Sequence, residues 1–304
     1  MKWNSEDIKS ILKAVASEEK KDVIMVEKDF IQSLFLYNLH KCNEYLIFKG
    51  GTCLSKVYQI INRFSEDLDI SINKKPTESE KRKINELIIN IGNELDLTLE
   101  NKDDIKGRYS YNKYIFSYIS SFDNSKYDLI VETSFYQIIN DDVVKSVYSY
   151  LIPYLQNNNN MVIEDIKQNI IFEMPVQTLE RTLIDKIFAV CDYFLENMRE
   201  RDSRHIYDIC KIYNNITINE NEFIKLFNEI RVERTKHKNN PSAEPRFCIN
   251  DLLKEIVETR FYELDYNTIT VQLLYKYESY NDVIKSGIQK IIDSGIIIKC
   301  ENGV

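Results

Sequence analysis

Residues 45–69 carry the pattern that most restricts what this chain can fold into. Tyr45 to Phe48 reads as a short buried strand, and Gly50-Gly51 breaks it. Thr52 can then cap a helix bearing Leu54, Val57, Tyr58 and Ile61. Fifteen residues after Gly50, Ser65-Glu66-Asp67-Leu68-Asp69 leads into a second strand over 67–72. Residues two apart in a strand share a face, so Asp67 and Asp69 aim their carboxylates together. Two carboxylates that close repel unless a cation sits between them. Mg²⁺ (or Mn²⁺) takes hard oxygen ligands and leaves room for phosphate oxygens. Paired glycines present no side chain to obstruct a triphosphate, and a helix starting near Thr52 offers it free backbone N–H groups. Alone, an Asp-x-Asp pair is usually a solvated strand edge and a Gly-Gly pair a turn. In this order they read as one phosphate-handling unit with Gly50, Gly51 and Thr52 on the nucleotide and Asp67 and Asp69 on the metal. Two metals need a third carboxylate. Glu132 is the candidate and Asp128 its competitor, against the plainer reading of a surface charge on an edge strand.

Only 7 glycines and 5 prolines occur in 304 residues, which predicts long elements with few tight turns. Asn4 can cap a first helix with the apolar stripe Ile8, Ile11, Leu12 and Val15, and a second helix is expected over 27–40, with Phe30, Leu34 and Tyr37 on one face. Thr77 and Glu80 form a capping box for a helix running towards Leu95. The tyrosine-rich segments 107–120 and 126–135 alternate as paired antiparallel strands. Asn157 to Asn160 reads as a loop and domain boundary, followed by one more strand over 170–172. From Pro175 the pattern turns helical, over 177–197, 202–213, 220–231 and 249–260. A loop is expected at Asn239-Asn240-Pro241-Ser242, then two helices or a terminal strand in 265–300. The expected architecture is α+β, with a mixed-sheet domain over 1–157 and a mainly helical one over 158–304.

A chain with 43% hydrophobic and 29% charged residues has the composition of a folded globular protein. It contains no apolar run near the roughly 18–20 residues of a membrane span, and its start lacks the apolar core of a secretion signal. A cytoplasmic protein without a membrane partner is expected. The six cysteines show no CxxC pair and read as buried free thiols. A net charge of −8 excludes a general nucleic-acid coat. Local clusters could still hold an RNA backbone, namely Lys74, Lys75, Lys81, Arg82 and Lys83, then Arg231, Arg234, Lys236, Lys238 and Arg246. Ordinary solvated faces are the plainer reading of both and stand slightly ahead.

The same motifs carry a resemblance. Phe48-Lys49-Gly50-Gly51-Thr52, Leu54, Lys56, Tyr58 and Arg63-Phe64-Ser65-Glu66-Asp67-Leu68-Asp69 resemble the first motifs of the AbiEii family. Thr178-Leu179-Glu180, Asp185-Lys186-Ile187-Phe188-Ala189, Arg201-Asp202 and Tyr207-Asp208-Ile209 resemble later ones. Members are nucleotidyltransferase-like toxins of type IV toxin–antitoxin and phage abortive-infection systems. The resemblance implies a polymerase-beta-like nucleotidyltransferase core with a helical C-terminal region, a nucleoside triphosphate (NTP) substrate and a cognate antitoxin. Some members add nucleotides to the 3′ acceptor end of tRNA and block translation, so an RNA acceptor is implied. By position, Ser65 and Asp67 correspond to active-site residues, Asp69 to the second metal carboxylate, Lys186 to the functional lysine and Asp208 to its acidic residue. Ser65 and Lys186 are then also nucleotide contacts.

Read on their own, the helical motifs say less. Leu179, Leu183 and Ile187 mark a buried stripe that leaves Lys186 at its border, where a lysine usually snorkels into solvent. Arg204 and Asp208 stand four apart and can simply pair on one helix. Three functions therefore remain: an RNA-directed nucleotidyltransferase toxin, a nucleotidyltransferase acting on a protein hydroxyl or small molecule, and a non-catalytic nucleotide-binding module. Paired metal carboxylates argue against the third.

Overall fold

The computed structural model describes residue 3 and residues 5–106, 109–200, 202–237 and 239–302. They divide into two compact units. The first holds Met1–Tyr58 and Glu66–Gln177, the second Gln59–Ser65 and Thr178–Val304.

In the first unit, α1 (Glu6–Glu18) buries the expected stripe Ile8, Ile11, Leu12 and Val15. Ser5 stands at its N-cap position, and Asn4 lies outside the described residues. The second helix, α2 (Val23–Cys42), starts four residues before the expected Glu27, because Asp22 caps it by accepting from the Ile24 N–H. β1 (Leu46–Lys49) runs straight into α3 (Gly50–Lys56). Thr52 is therefore not the cap but an interior residue whose side chain is buried. β2 (Leu68–Ile72) follows, then α4 (Glu78–Glu94), whose Thr77–Glu80 capping box forms with both reciprocal hydrogen bonds. β3 (Thr98–Leu99), β4 (Tyr111–Ile119) and β5 (Lys126–Ile138) come next, with β4 and β5 antiparallel as expected.

The stretch 139–177 departs most from expectation. It holds β6 (Asp142–Ser146), α5 (Leu151–Asn157), α6 (Met161–Ile170) and β7 (Glu173–Gln177). Asn160 ends the asparagine run as the N-cap of α6, accepting from the Ile163 N–H. Pro175 lies inside β7, so helix begins only after it.

Among the described residues, seven strands form one mixed sheet in the order β3-β4-β5-β2-β1-β7-β6. β1 lies antiparallel to β2 and parallel to β7, and β2 lies parallel to β5. Alternation sends Leu46, Phe48, Leu68, Ile70, Leu129, Val131, Tyr114 and Phe116 into one hydrophobic core with the stripes of α1, α2, α4 and α6. Residues of opposite parity point to the other face of the sheet.

The second unit is helical: α7 (Leu179–Leu195), α8 (Arg204–Tyr213), α9 (Glu220–Arg234) and α10 (Ile249–Glu258), all close to expectation. Thr178 caps α7. Phe188 of α7 packs on Phe227 of α9 with ring centroids 5.1 Å apart. Pro241–Ala243 forms a 3₁₀ turn where a loop was expected. The C-terminal stretch adds a π-helical turn at Tyr266–Thr270 and short helices at Tyr280–Ser286, Ile288–Ser294 and Ile296–Asn302. Segment 59–65 joins this unit through Phe64 N–H to Leu273 O (2.8 Å) and Tyr275 N–H to Asn62 O (2.9 Å). All six cysteines are free thiols; Cys42 and Cys248 are exposed, against the expectation that all are buried. No helix among the described residues is long and apolar enough to cross a membrane.

Candidate active site

In the first unit the charges collect in one row. Strand register sets Lys49 of β1 beside Asp69 of β2, Asp69 beside Glu132 of β5, and Glu132 beside Lys113 of β4. Four side chains in the order cation, anion, anion, cation therefore cross four strands on the face turned away from the core. Each is half-buried, as is Asp67 just before β2. Glu132 is bridged by Lys113 at 3.0 Å. Asp128 pairs with Ser117, four residues back along β5, so the register puts Glu132 and not Asp128 next to Asp69.

Gly50 explains how Asp69 fits. It holds φ +77°, a left-handed conformation costly for any residue with a Cβ, and a Cβ built there would overlap the Asp69 carboxylate. The turn needs glycine twice over, for its backbone angle and for the close approach of Asp69. Gly51 and Thr52 follow in the first turn of α3. The buried Thr52 side chain leaves only its backbone to face a ligand. α2 holds the approach to Asp67: Lys28 bridges Glu66 at 2.7 Å and Gln32 Nε2 donates to the Glu66 carbonyl at 3.0 Å. Lys56, part of the first motif, is buried and paired with Asp29 of α2. Asp29 also accepts from Ser149 Oγ (2.6 Å) and the Tyr150 N–H (3.1 Å). This lysine is structural.

Asp67, Asp69 and Glu132 supply the oxygen donors that Mg²⁺ takes. Among the described residues no three His, Cys, Asp or Glu side chains converge into a ready cage. Mg²⁺ is commonly held by one or two carboxylates plus substrate phosphates, so the donors fit an ion that arrives with the triphosphate.

The second unit holds Ser65, Lys186 and Asp208. Lys186 is buried, 7% exposed, and does not snorkel from the border of α7. Its Nζ meets Asp208 Oδ2 at 2.8 Å. Arg63 clamps the same carboxylate with Nε and a terminal nitrogen, both at 2.7 Å. The local Arg204–Asp208 pair does not form; Arg204 bridges Asp202 at 3.1 Å instead. Burial by itself would raise the Asp208 carboxyl, but Arg63 and Lys186 outweigh it and hold it well below the usual range. Two cations against one anion leave this buried cluster with a surplus positive charge. Lys186 also donates to His205 Nδ1 at 3.3 Å, since an ammonium can only donate. Burial, then the Lys186 charge, pushes His205 down to about 3, so the ring is neutral.

Sequence reasoning missed Arg63 and His205 as partners. Arg63 was visible as part of a motif, but its partner lies 145 positions later and no local spacing reveals it. Arg201 and Lys238 lie outside the described residues. The second basic cluster is largely engaged internally. Arg234 is buried against Asp192 at 2.7 Å, Arg231 meets Glu301 at 3.4 Å, and Arg246 meets Glu244 at 2.9 Å. In the first cluster Lys75, Arg82 and Lys83 are exposed.

Solved structures agree with this fold. A protein from H. pylori, solved as a candidate nucleotidyltransferase, superposes with a TM-score of 0.51 at 16% identity, covering 91% of this chain and 96% of that one. MenT4, a nucleotidyltransferase toxin from Mycobacterium tuberculosis H37Rv, gives a TM-score of 0.52 at 13% identity, covering 94% and 89%. At such identities the likeness speaks for the α+β nucleotidyltransferase fold. No curated protein matches by sequence. The family model for the nucleotidyl transferase AbiEii toxin of type IV toxin–antitoxin systems matches residues 34–284, most of the chain. With its Gly-Gly turn, its Asp-x-Asp motif at the start of β2 and that match, the chain belongs to the AbiEii family of nucleotidyltransferase toxins.

Proposed function

We propose that this nucleotidyltransferase moves a nucleoside monophosphate from an NTP to an RNA acceptor, the 3′ end of tRNA, and so stops translation. The in-register Asp69–Glu132 pair against the Gly50 turn carries the reading. In the reaction the acceptor 3′-hydroxyl gives up its proton to solvent as its oxygen bonds to the α-phosphorus, the bond from that phosphorus to the α,β-bridging oxygen breaks, and pyrophosphate leaves with the bridging oxygen. Asp67 and Asp69 would hold Mg²⁺ or Mn²⁺, with Glu132 the third carboxylate; the ion would supply positive charge to the phosphate oxygens. Gly50, Gly51 and the Thr52 backbone leave the triphosphate an unobstructed approach. Ser65 and Lys186 would contact the nucleotide, and a lysine already carrying the surplus charge of its cluster suits a departing pyrophosphate. Asp208 is a positioning residue, wholly buried between Arg63 and Lys186. Lys75, Arg82 and Lys83 are candidates for contact with the RNA backbone. A cognate antitoxin, implied by the family, completes the system.

The test offers each labelled NTP to the full chain with purified tRNA, total RNA or protein. Label is expected on tRNA and lost when periodate has destroyed the terminal ribose diol. Label on protein, or on periodate-treated tRNA, overturns the acceptor assignment.

A further inference from the structure

The charged row does not end the open face of the sheet. Tyr111 and Tyr136 stand there 47% and 43% exposed. Tyr111 lies two residues before Lys113 on β4 and opposite Ser134 on β5. Because Phe135 turns into the core, Tyr136 follows Glu132 and Ser134 on the open face. The Tyr111 hydroxyl hydrogen-bonds to Glu132. Burial, then that carboxylate, with Asp69 and Tyr136 also in electrostatic reach, raises the phenol above its ordinary range. The ladder between β2 and β5 breaks beside these rings: Ile70 pairs with Thr133, but Ile72 pairs with Ile138. Bulges of this kind re-aim side chains next to active sites. Two large rings held in water beside carboxylates, at a bulge, are poor core and good stacking surface.

The spacing decides what would stack. From the Gly50 turn at the end of β1, three strand spacings, about 14 Å, lead across β2 and β5 to β4. That is the length scale of an extended NTP. A triphosphate lying by the turn and Asp69 carries its base out over β5 and β4.

We propose that Tyr111 and Tyr136 form a stacking platform for the nucleobase of the incoming NTP. The proposal rests on the nucleotide-transfer reading and adds where the base lies. Every base has a π-face, so the platform accepts all four, and any preference among them arises at base edges.

The experiment measures binding of four non-transferable α,β-methylene NTPs and of inorganic tripolyphosphate, each with Mg²⁺, by calorimetry. It uses the full chain and the variants Tyr111→Ala, Tyr136→Ala and Tyr111→Phe, with thermal melts as folding control. Each alanine variant is expected to raise the Kd of the NTP analogues about tenfold. The tripolyphosphate Kd stays in place, and Tyr111→Phe, which keeps the ring, binds like the parent. An unchanged NTP Kd overturns the platform. Equal weakening of NTP and tripolyphosphate also overturns it, assigning the tyrosines to the phosphates or to folding. So does an unchanged NTP Kd with a raised acceptor KM, which would place the acceptor on the rings. If the parent chain binds no NTP, the transfer reading itself has failed. The platform fails alone where the parent binds NTP and the variants either bind it equally or lose NTP and tripolyphosphate alike.

Discussion

Asp69 shows how much a single carboxylate depends on its neighbours. It is flanked by Lys49 and Glu132 in the strand ladder and lies against a glycine that no other residue can replace without overlap. Asp67→Asn and Asp69→Asn are each expected to abolish nucleotide transfer while the melting temperature stays level or rises, because each removes one of two repelling charges. Full transfer in both variants would end the metal assignment. His205 is a second residue with a sharp consequence. Its folded value, about 3, lies far below the roughly 6.5 of an unfolded chain. Below about pH 6.5 the unfolded chain takes up a proton that the folded chain refuses, so stability is full above that pH and falls towards pH 3. The slope is at most about 1.4 kcal/mol per pH unit, and the Asp208 contribution enters only below about pH 4. His205→Asn, which keeps an acceptor for Lys186 but cannot titrate, should flatten melting temperature between pH 6.5 and 4.5. An unchanged slope would mean the ring is already charged or open to water.

At the scale of elements, α3 is short because it is built for position. It leaves β1 through the Gly50 turn and ends on Lys56, whose buried ammonium grips Asp29 while its carbonyl accepts from the Tyr148 N–H at 2.6 Å. One residue thereby joins α3 to α2 and to the segment before α5. Lys56→Ala leaves the buried Asp29 carboxylate without its counter-charge, held only by the Ser149 hydroxyl and the Tyr150 N–H, and should cost about 3–5 kcal/mol in chemical denaturation. A Lys56→Met, Asp29→Leu double variant, with no charge left to strand, should recover much of that. If Lys56→Ala costs under 1 kcal/mol, the pair is not the tie described. α7, α8, α9 and α10 were legible from apolar periodicity because each buries a stripe. β6, α5 and α6 were not. β6 is a five-residue edge strand with exposed valines, so it has no buried face to impose alternation. α6 was hidden behind an asparagine run whose last member is a cap as well as a loop residue.

For the whole molecule, the kinetics of one lysine test whether the second unit shares in catalysis. If Lys186 acts on the departing pyrophosphate, Lys186→Ala should lower kcat even at saturating NTP, since the charge matters more in the transition state than in the ground state. Assayed below its melting temperature, a wild-type kcat would confine the chemistry to the first unit. The family, the Gly-Gly turn, the Asp-x-Asp strand and the helical second half were readable in the amino-acid order, because turn chemistry and periodicity are local and motif spacing survives divergence. Several decisive facts were not. Which of Glu132 and Asp128 stands beside Asp69 depends on the register between β2 and β5, which long-range pairing sets. Lys186 is buried and not solvated because Asp208, 22 positions away in the chain, offsets part of the cost of burying it, while Arg63, 123 positions away, holds that carboxylate ionised. Segment 59–65 belongs with the helices although both its flanks belong with the sheet. Local sequence determines which elements form. Only tertiary structure decides which charges meet, because burial and pairing energies depend on distance through space and not on distance along the chain.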